Sequence, residues 1–191
     1  DTEINFVFRK LSKRDPITKL KALDELKGLL EKRSPETLIE ILPAWIHHFN
    51  QLAAVNDRSV REAIYPSFEL IVKGTGKSLA PHLKSCFSSW CVAVWLHQHD
   101  PNREVARAAR QCFQMAFPAA KRAEVLKFCQ VDFFDFLVSL FKQTPQTLSD
   151  MKLNTPEQAQ ERFDRVVSSG MLSLAAFVES NTDNPAIVDA Y

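Results

Sequence analysis

Three stretches of this chain share one plan, and their spacing leaves few folds open. Each starts at an aspartate and, a few residues on, reaches an aliphatic residue with a basic one close behind. They are Asp15 with Leu20 and Lys21, Asp57 with Val60 and Arg61, and Asp100 with Val105 and Arg107. The aliphatics lie 40 and 45 residues apart. That length holds two amphipathic helices, which cannot bury both apolar faces alone and therefore stack on neighbouring pairs. Alanines in these stretches, Ala63, Ala106, Ala108 and Ala109, permit close helix approach. The interleaved arginines either bond the aspartates and helix-end carbonyls of adjacent repeats or face water.

Helical periodicity fills the rest of the chain, and four glycines in 191 residues leave little for tight β-turns. The stripe Ile4, Val7, Phe8 and Leu11 predicts a first helix. Asp15 and Pro16 start a second through Leu20, Leu23, Leu26 and Leu30, and Ser34 and Pro35 a third through Leu38, Ile41, Leu42, Trp45, Phe49 and Leu52. Asp57 precedes the stripe Val60, Ile64, Phe68 and Ile71. A further helix carries Leu83, Phe87, Trp90, Cys91 and Val94. Asp100 is expected to cap the next, with Val105, Ala109, Cys112, Phe113 and Ala116 inward.

Two or three further helices follow, one around 120–129 and another through Phe133, Phe136, Leu137, Leu140 and Phe141. A longer loop near 143–156 leads to a last helix, which Thr155 and Gln158 open as a capping box, with Phe163, Val166, Val167, Leu174 and Phe177 inward. Pro43 and Pro66 fall within helical patterns and predict kinks. The expected fold is all-α, an elongated right-handed solenoid of HEAT/ARM-like helical repeats. Residues 1–180 form one domain, and 181–191 a tail or the start of another repeat.

An apolar content of 46% with 25% charged residues excludes wholesale disorder. Net charge is +1, but it is unevenly spread: residues 1–131 carry 20 Lys and Arg against 14 Asp and Glu, and residues 132–191 carry 4 against 9. Cys86, Cys91, Cys112 and Cys129 lie in apolar helical patterns without CxxC spacing, which fits buried thiols in a reducing compartment. No leader or long apolar run is visible, so a cytosolic protein without a membrane span is expected, here as a piece lacking its initial Met.

Gly76, Lys77 and Ser78 match only the tail of a phosphate-binding loop. Its first glycine would fall at Ile71, inside a predicted helix, so a nucleotide hydrolase is a remote alternative and a glycine helix cap the simpler reading. His97, His99 and Asp100, with Cys91 upstream, lack the convergent ligands that zinc requires, so no metal is expected. The cysteines lie on apolar faces, where packing is their usual role, and the aromatic run FFDFLVSLF reads as core.

The densest polar cluster is RKLSKRDPITKLK. It sets Arg9, Lys10, Lys13, Arg14, Lys19 and Lys21 around one helix–turn–helix junction, with Asp15 and Thr18 between them. Several cations beside a helix N-terminus can hold phosphate backbone. A solvated face with a capping Asp15 fits the same residues equally well.

KLSKRDPITKLKALDEL, NDRSVREA, LAPHLKSCFSSW, AFPAAKRAEVLKFC, TPQTLSD and RFDRVVSSGMLSLAAF occur in this order. This series resembles the N-terminal domain of the listerin family, very large E3 ubiquitin ligases of ribosome-associated quality control. The resemblance implies a long HEAT/ARM solenoid whose C-terminal RING lies elsewhere. It implies docking on large ribosomal subunits that still hold peptidyl-tRNA, and contact with the nuclear export mediator factor.

By this resemblance the subunit contacts are Lys13, Arg14, Thr18 and Lys19, although Ile17 stands where the family pattern has a further threonine, and the basic cluster around them adds Lys10 and Lys21 as candidates. Secondary contacts are Arg58, Arg61, Thr147, Leu148, Ser149 and Asp150, with an internal ladder preferred for the two arginines. Asp15, Asp57, Asp100 and Thr155 are structural caps. The chain is then a monomeric docking module, itself non-catalytic, with no cofactor, no small-molecule substrate, and zinc only in the absent RING. A generic HEAT adaptor for a peptide or helix is the alternative. As caps, Asp57 and Asp100 are each expected to contribute about 0.5–2 kcal/mol.

Overall fold

Proline at the first helical position, behind a side chain that accepts a backbone N–H, starts α2 (Pro16–Leu30), α3 (Pro35–Ala53), α9 (Pro145–Leu148) and α10 (Pro156–Glu179). Asp15, Ser34, Thr144 and Thr155 supply the caps. Asp57 does the same without proline for α4 (Arg58–Thr75), accepting the Val60 N–H at 3.0 Å. The computed structural model describes residues 1–76, 79–83 and 87–180. Among them all regular structure is helical, the remaining elements being α1 (Thr2–Leu11), α5 (Leu79–Leu83), α6 (Phe87–His97), α7 (Arg103–Ala116) and α8 (Ala119–Phe141).

The pairs stack in two layers. Helices α2, α4 and α7 pack side by side in one, α1, α3 and α6 in the other, and α8 and α10 continue the second layer beyond α6. Within each pair, α1 meets α2, α3 meets α4 and α6 meets α7. This is the all-α stacked-pair plan that the repeat spacing predicts.

Every predicted inward residue of α1 and α3 is buried, as are Val60, Ile64, Phe68 and Ile71 of α4. Rings link successive pairs across this core, Phe8 of α1 to Trp45 of α3 at 6.3 Å and Phe68 of α4 stacked on Trp90 of α6 at 4.5 Å, and Phe49 joins α3 to Tyr65 of α4 at 5.5 Å within one pair. A second apolar cluster joins Val92 and Leu96 of α6 to Phe133, Leu137 and Leu140 of α8 and Phe177 of α10. Gly76, at φ 52°, caps α4 with its N–H on the Val72 carbonyl, a conformation that suits glycine.

Four expectations need correction. The two helices predicted over 120–141 are one, α8, because apolar residues surround it: Cys129, Phe133, Leu137 and Leu140 are buried while Phe128, Val131, Val138 and Phe141 face out. The loop near 143–156 contains α9, closed by a Thr144–Thr147 capping box. On α10 only Phe177 of the predicted stripe is fully buried; the inward face is Ala159, Ser169, Gly170 and Ser173. A Cβ at Gly170 would come within 3.0 Å of Leu140, so the small face permits close packing on α8.

The fourth concerns Asp100, which does not cap α7. Asn102 does, accepting the N–H groups of Glu104 and Val105 at 3.1 and 3.2 Å. The Asp100 carboxylate is instead fully buried and faces Arg61, which donates to it from Nε at 3.0 Å and Nη2 at 3.3 Å. Arg61 Nη1 also donates to the carbonyls of Val55 and Asn56, at 3.0 and 2.5 Å, in the α3–α4 turn. Arg61 is thus the internal ladder arginine and is closed to outside contact. Arg165 of α10 reaches the same region, donating to the Ala54 and Val55 carbonyls at 3.3 and 3.2 Å and lying 3.9 Å from Asp100.

His97 completes the buried polar layer. Burial pulls its pKa down to about 4, so its ring is neutral. Its Nε2–H donates to the Ala53 carbonyl at 2.9 Å, which leaves Nδ1 to accept from the Tyr65 hydroxyl at 2.7 Å.

These roles separate two aspartates that look alike in sequence. Asp57→Ala is expected to cost about 0.5–2 kcal/mol through the lost cap. Asp100→Ala is expected to cost about 3–5 kcal/mol, because it leaves buried guanidinium uncompensated. Urea unfolding of both variants checks the order, and equal losses would remove the distinction.

Candidate functional site

The α1–α2 turn is held by short-range bonds that leave its cations outside. After Leu11 the chain turns at 12–14 and extends at Asp15, whose Oδ2 accepts both the N–H and the hydroxyl of Thr18, each at 2.7 Å. The Thr18 hydroxyl, with its backbone N–H second, holds the exposed Asp15 carboxyl below the usual range. Thr18 is therefore oriented toward its own cap.

The predicted cations divide. Lys10 is engaged, its Nζ 2.6 Å from Glu25 of α2 and 4.6 Å above the Phe6 ring. Lys19 is half-buried, and burial lowers its pKa while the charges of Asp15 and Asp57 oppose that shift. Lys13, Arg14 and Lys21 are exposed and enter no ion pair among the described residues, as does Arg9. Ile17, 63% exposed, lies on the same turn. A second acid–base clamp sits at the other end of α1, where Arg33 pairs with Asp1 at 2.6 Å and with Glu3.

The secondary candidates are scattered. Arg58 is exposed in the first turn of α4, separate from buried Arg61. Thr147 is taken up in its capping box, and Asp150 accepts N–H groups within its own turn. Ser149 is buried, and Leu148 is half-buried against the second apolar cluster. Residue spacing did not reveal that Leu148 reaches a cleft beside α6.

The remaining chemical candidates take structural places. Ile71, where a phosphate-binding loop needs its first glycine, is buried in α4, and Lys77 and Ser78 lie outside the described residues. Among the described residues no three His, Cys, Asp or Glu side chains are placed to hold a metal ion. Cys91, Cys112 and Cys129 are buried free thiols; Cys86 lies outside the described residues, as do 181–191. The Cys129 thiol and burial together push Cys91 well up, and burial pushes Cys112 up, so both stay protonated. No helix among the described residues is long and apolar enough to cross a membrane.

Stacked helix pairs, a buried Arg–Asp link between successive repeats and an exposed basic turn define a helical-repeat protein with an exposed cationic corner. Residues 1–188 match the family model described as E3 ubiquitin-protein ligase listerin, N-terminal domain. The chain belongs to that family. It is 38% identical over 175 residues to the E3 ubiquitin-protein ligase listerin of Gallus gallus, and equally to that of Mus musculus, each alignment covering 91% of this chain and 10% of the relative. Against the Drosophila melanogaster listerin it is 36% identical over 180 residues, covering 92% of this chain and 10% of that protein. The chain thus spans about a tenth of the length of these relatives.

Thr18→Val keeps the backbone bond to Asp15 and removes the hydroxyl one. The Asp15 pKa is expected to rise toward its ordinary value while α2 remains helical, as followed by a carboxyl-carbon NMR titration. An unmoved Asp15 pKa would show that the hydroxyl does not hold the cap.

Proposed function

We propose that this chain is the non-catalytic docking domain of a listerin-type E3 ubiquitin ligase. In this reading it binds the large ribosomal subunit when peptidyl-tRNA still obstructs it, together with the nuclear export mediator factor, on the cytosolic ribosome. A RING far along the same polypeptide then ubiquitinates the stalled nascent chain for degradation. Family membership supports the ligase context. The observation that carries the docking role is the exposed set Lys13, Arg14 and Lys21 around the capped start of α2, which form no ion pair among the described residues.

Physically, the corner suits a phosphate backbone. Flexible cations beside a helix N-terminus attract phosphates without reading bases, and affinity then falls as salt rises. Lys10 and Lys19, half-buried and near carboxylates, contribute less charge than their number suggests. Two weak contacts, one to the particle and one to the protein factor, multiply through effective concentration and restrict docking to particles that carry both. A stacked array carries such an anchor rigidly away from a distant catalytic end.

Cosedimentation of this chain with purified large subunits over a salt series tests the reading. The double variant Lys13→Glu, Arg14→Glu is expected to bind more weakly, with the log-affinity versus log-salt slope reduced by roughly two, and to melt like the parent. Unchanged binding by a folded double variant would remove the corner from the contact.

A further inference from the structure

A cleft of about 430 Å³ opens between α3, α6, α8, α9 and α10, away from the basic turn in sequence and in elements. Its walls are mainly apolar, from Val92 and Leu96 of α6, Phe136 of α8, Leu148 of α9 and Val166 of α10. Arg162 and Arg165 project from α10 into the same space. The volume suits several side chains of a ligand.

The charges around this cleft do not balance. Arg61 takes the buried Asp100 carboxylate in two hydrogen bonds, and Arg165 reaches it only at 3.9 Å. Arg162 forms no ion pair with any described residue, and Asp132 on the lining pairs with neither arginine. The Nε atoms of Arg162 and Arg165 are buried without hydrogen-bond partners, and so is Asn50 Oδ1 on the same lining. Burial depresses both arginines, Arg165 to about 10, where the neighbouring Arg61 and Arg162 add to the effect. A half-buried cation with unused donors is costly until an anion meets it.

We propose that this cleft binds a short peptide segment of a protein partner, placing an Asp or Glu carboxylate on Arg162 and Arg165 and apolar side chains against Leu96, Phe136, Leu148 and Val166. Guanidinium donors match a carboxylate, and the free Asn50 Oδ1 accepts a peptide N–H. An inorganic anion would leave the apolar walls uncovered. The site shares no residue with the α1–α2 corner, so loss of subunit docking leaves it standing.

Selection of a displayed random heptapeptide library on the immobilised chain tests this. The enriched peptides are expected to carry an Asp or Glu beside apolar residues. A selected peptide should shift the Arg162 and Arg165 Nε–H signals in NMR spectra, and should weaken at least tenfold when its acid becomes Gln or Asn. Arg162→Met should lose the same affinity, and the amide version of the peptide gives that result even if the variant does not fold. Four outcomes overturn the proposal: no enrichment, enrichment of peptides lacking an acid, equal binding of acid and amide versions, or shifts confined to the Lys13–Arg14 turn. Inorganic phosphate moving the arginine signals as strongly as the peptide also overturns it, in favour of a simple anion site.

Discussion

The link between Arg61 and Asp100 holds the turns of successive repeats in register. One guanidinium closes the α3–α4 turn through two carbonyls and reaches the carboxylate at the α6–α7 junction, 39 residues on. Apolar burial is non-directional, whereas a planar fork with four defined acceptors fixes direction as well as distance. Burying the pair sacrifices hydration of both ions, so its worth lies in geometry more than in net stability. Asp100, drawn inward to meet Arg61, leaves the capping of α7 to Asn102.

Much of this was legible in the residues, and the failures share a physical origin. Where a helix has one apolar face and a capped proline start, as in α2 and α3, the pattern specified element and orientation together. It also gave an Asp–Arg ladder as one role for the interleaved arginines. The pattern failed where helices pack on both sides or on small residues. In α8 apolar residues point in every direction, so no single stripe runs its length. In α10 the closest-packed face is Ser169, Gly170 and Ser173, which hydropathy ranks below the valines beside them. Asp57 and Asp100 begin similar motifs, and only the position of Arg61 in space tells them apart.

Basic residues in this fold fall into two populations. Some are bonded to backbone carbonyls: Arg61 and Arg165 near α4, Arg110 to the Gln98 carbonyl and Arg122 to that of Phe117. Others stand in water, as Arg9, Lys13, Arg14 and Lys21 do around the α1–α2 turn. A forked, weakly hydrated guanidinium suits fixed carbonyl acceptors. The candidate contact residues by sequence number included both kinds, and burial is what divides them.

Helix α10 gives the array a different mechanical character from a plain stack. Gln158 accepts from Asn56 through its carbonyl, Arg165 bonds Ala54 and Val55, and Trp95 and Ser173 exchange hydrogen bonds, so the last helix is tied to units that precede it by 78 to 111 residues. Units touching only their neighbours can fray one at a time from a free end. With this strap in place, peeling the final helix exposes the middle of the array, so amides of α3, α6 and α10 should exchange with solvent together in a single opening event.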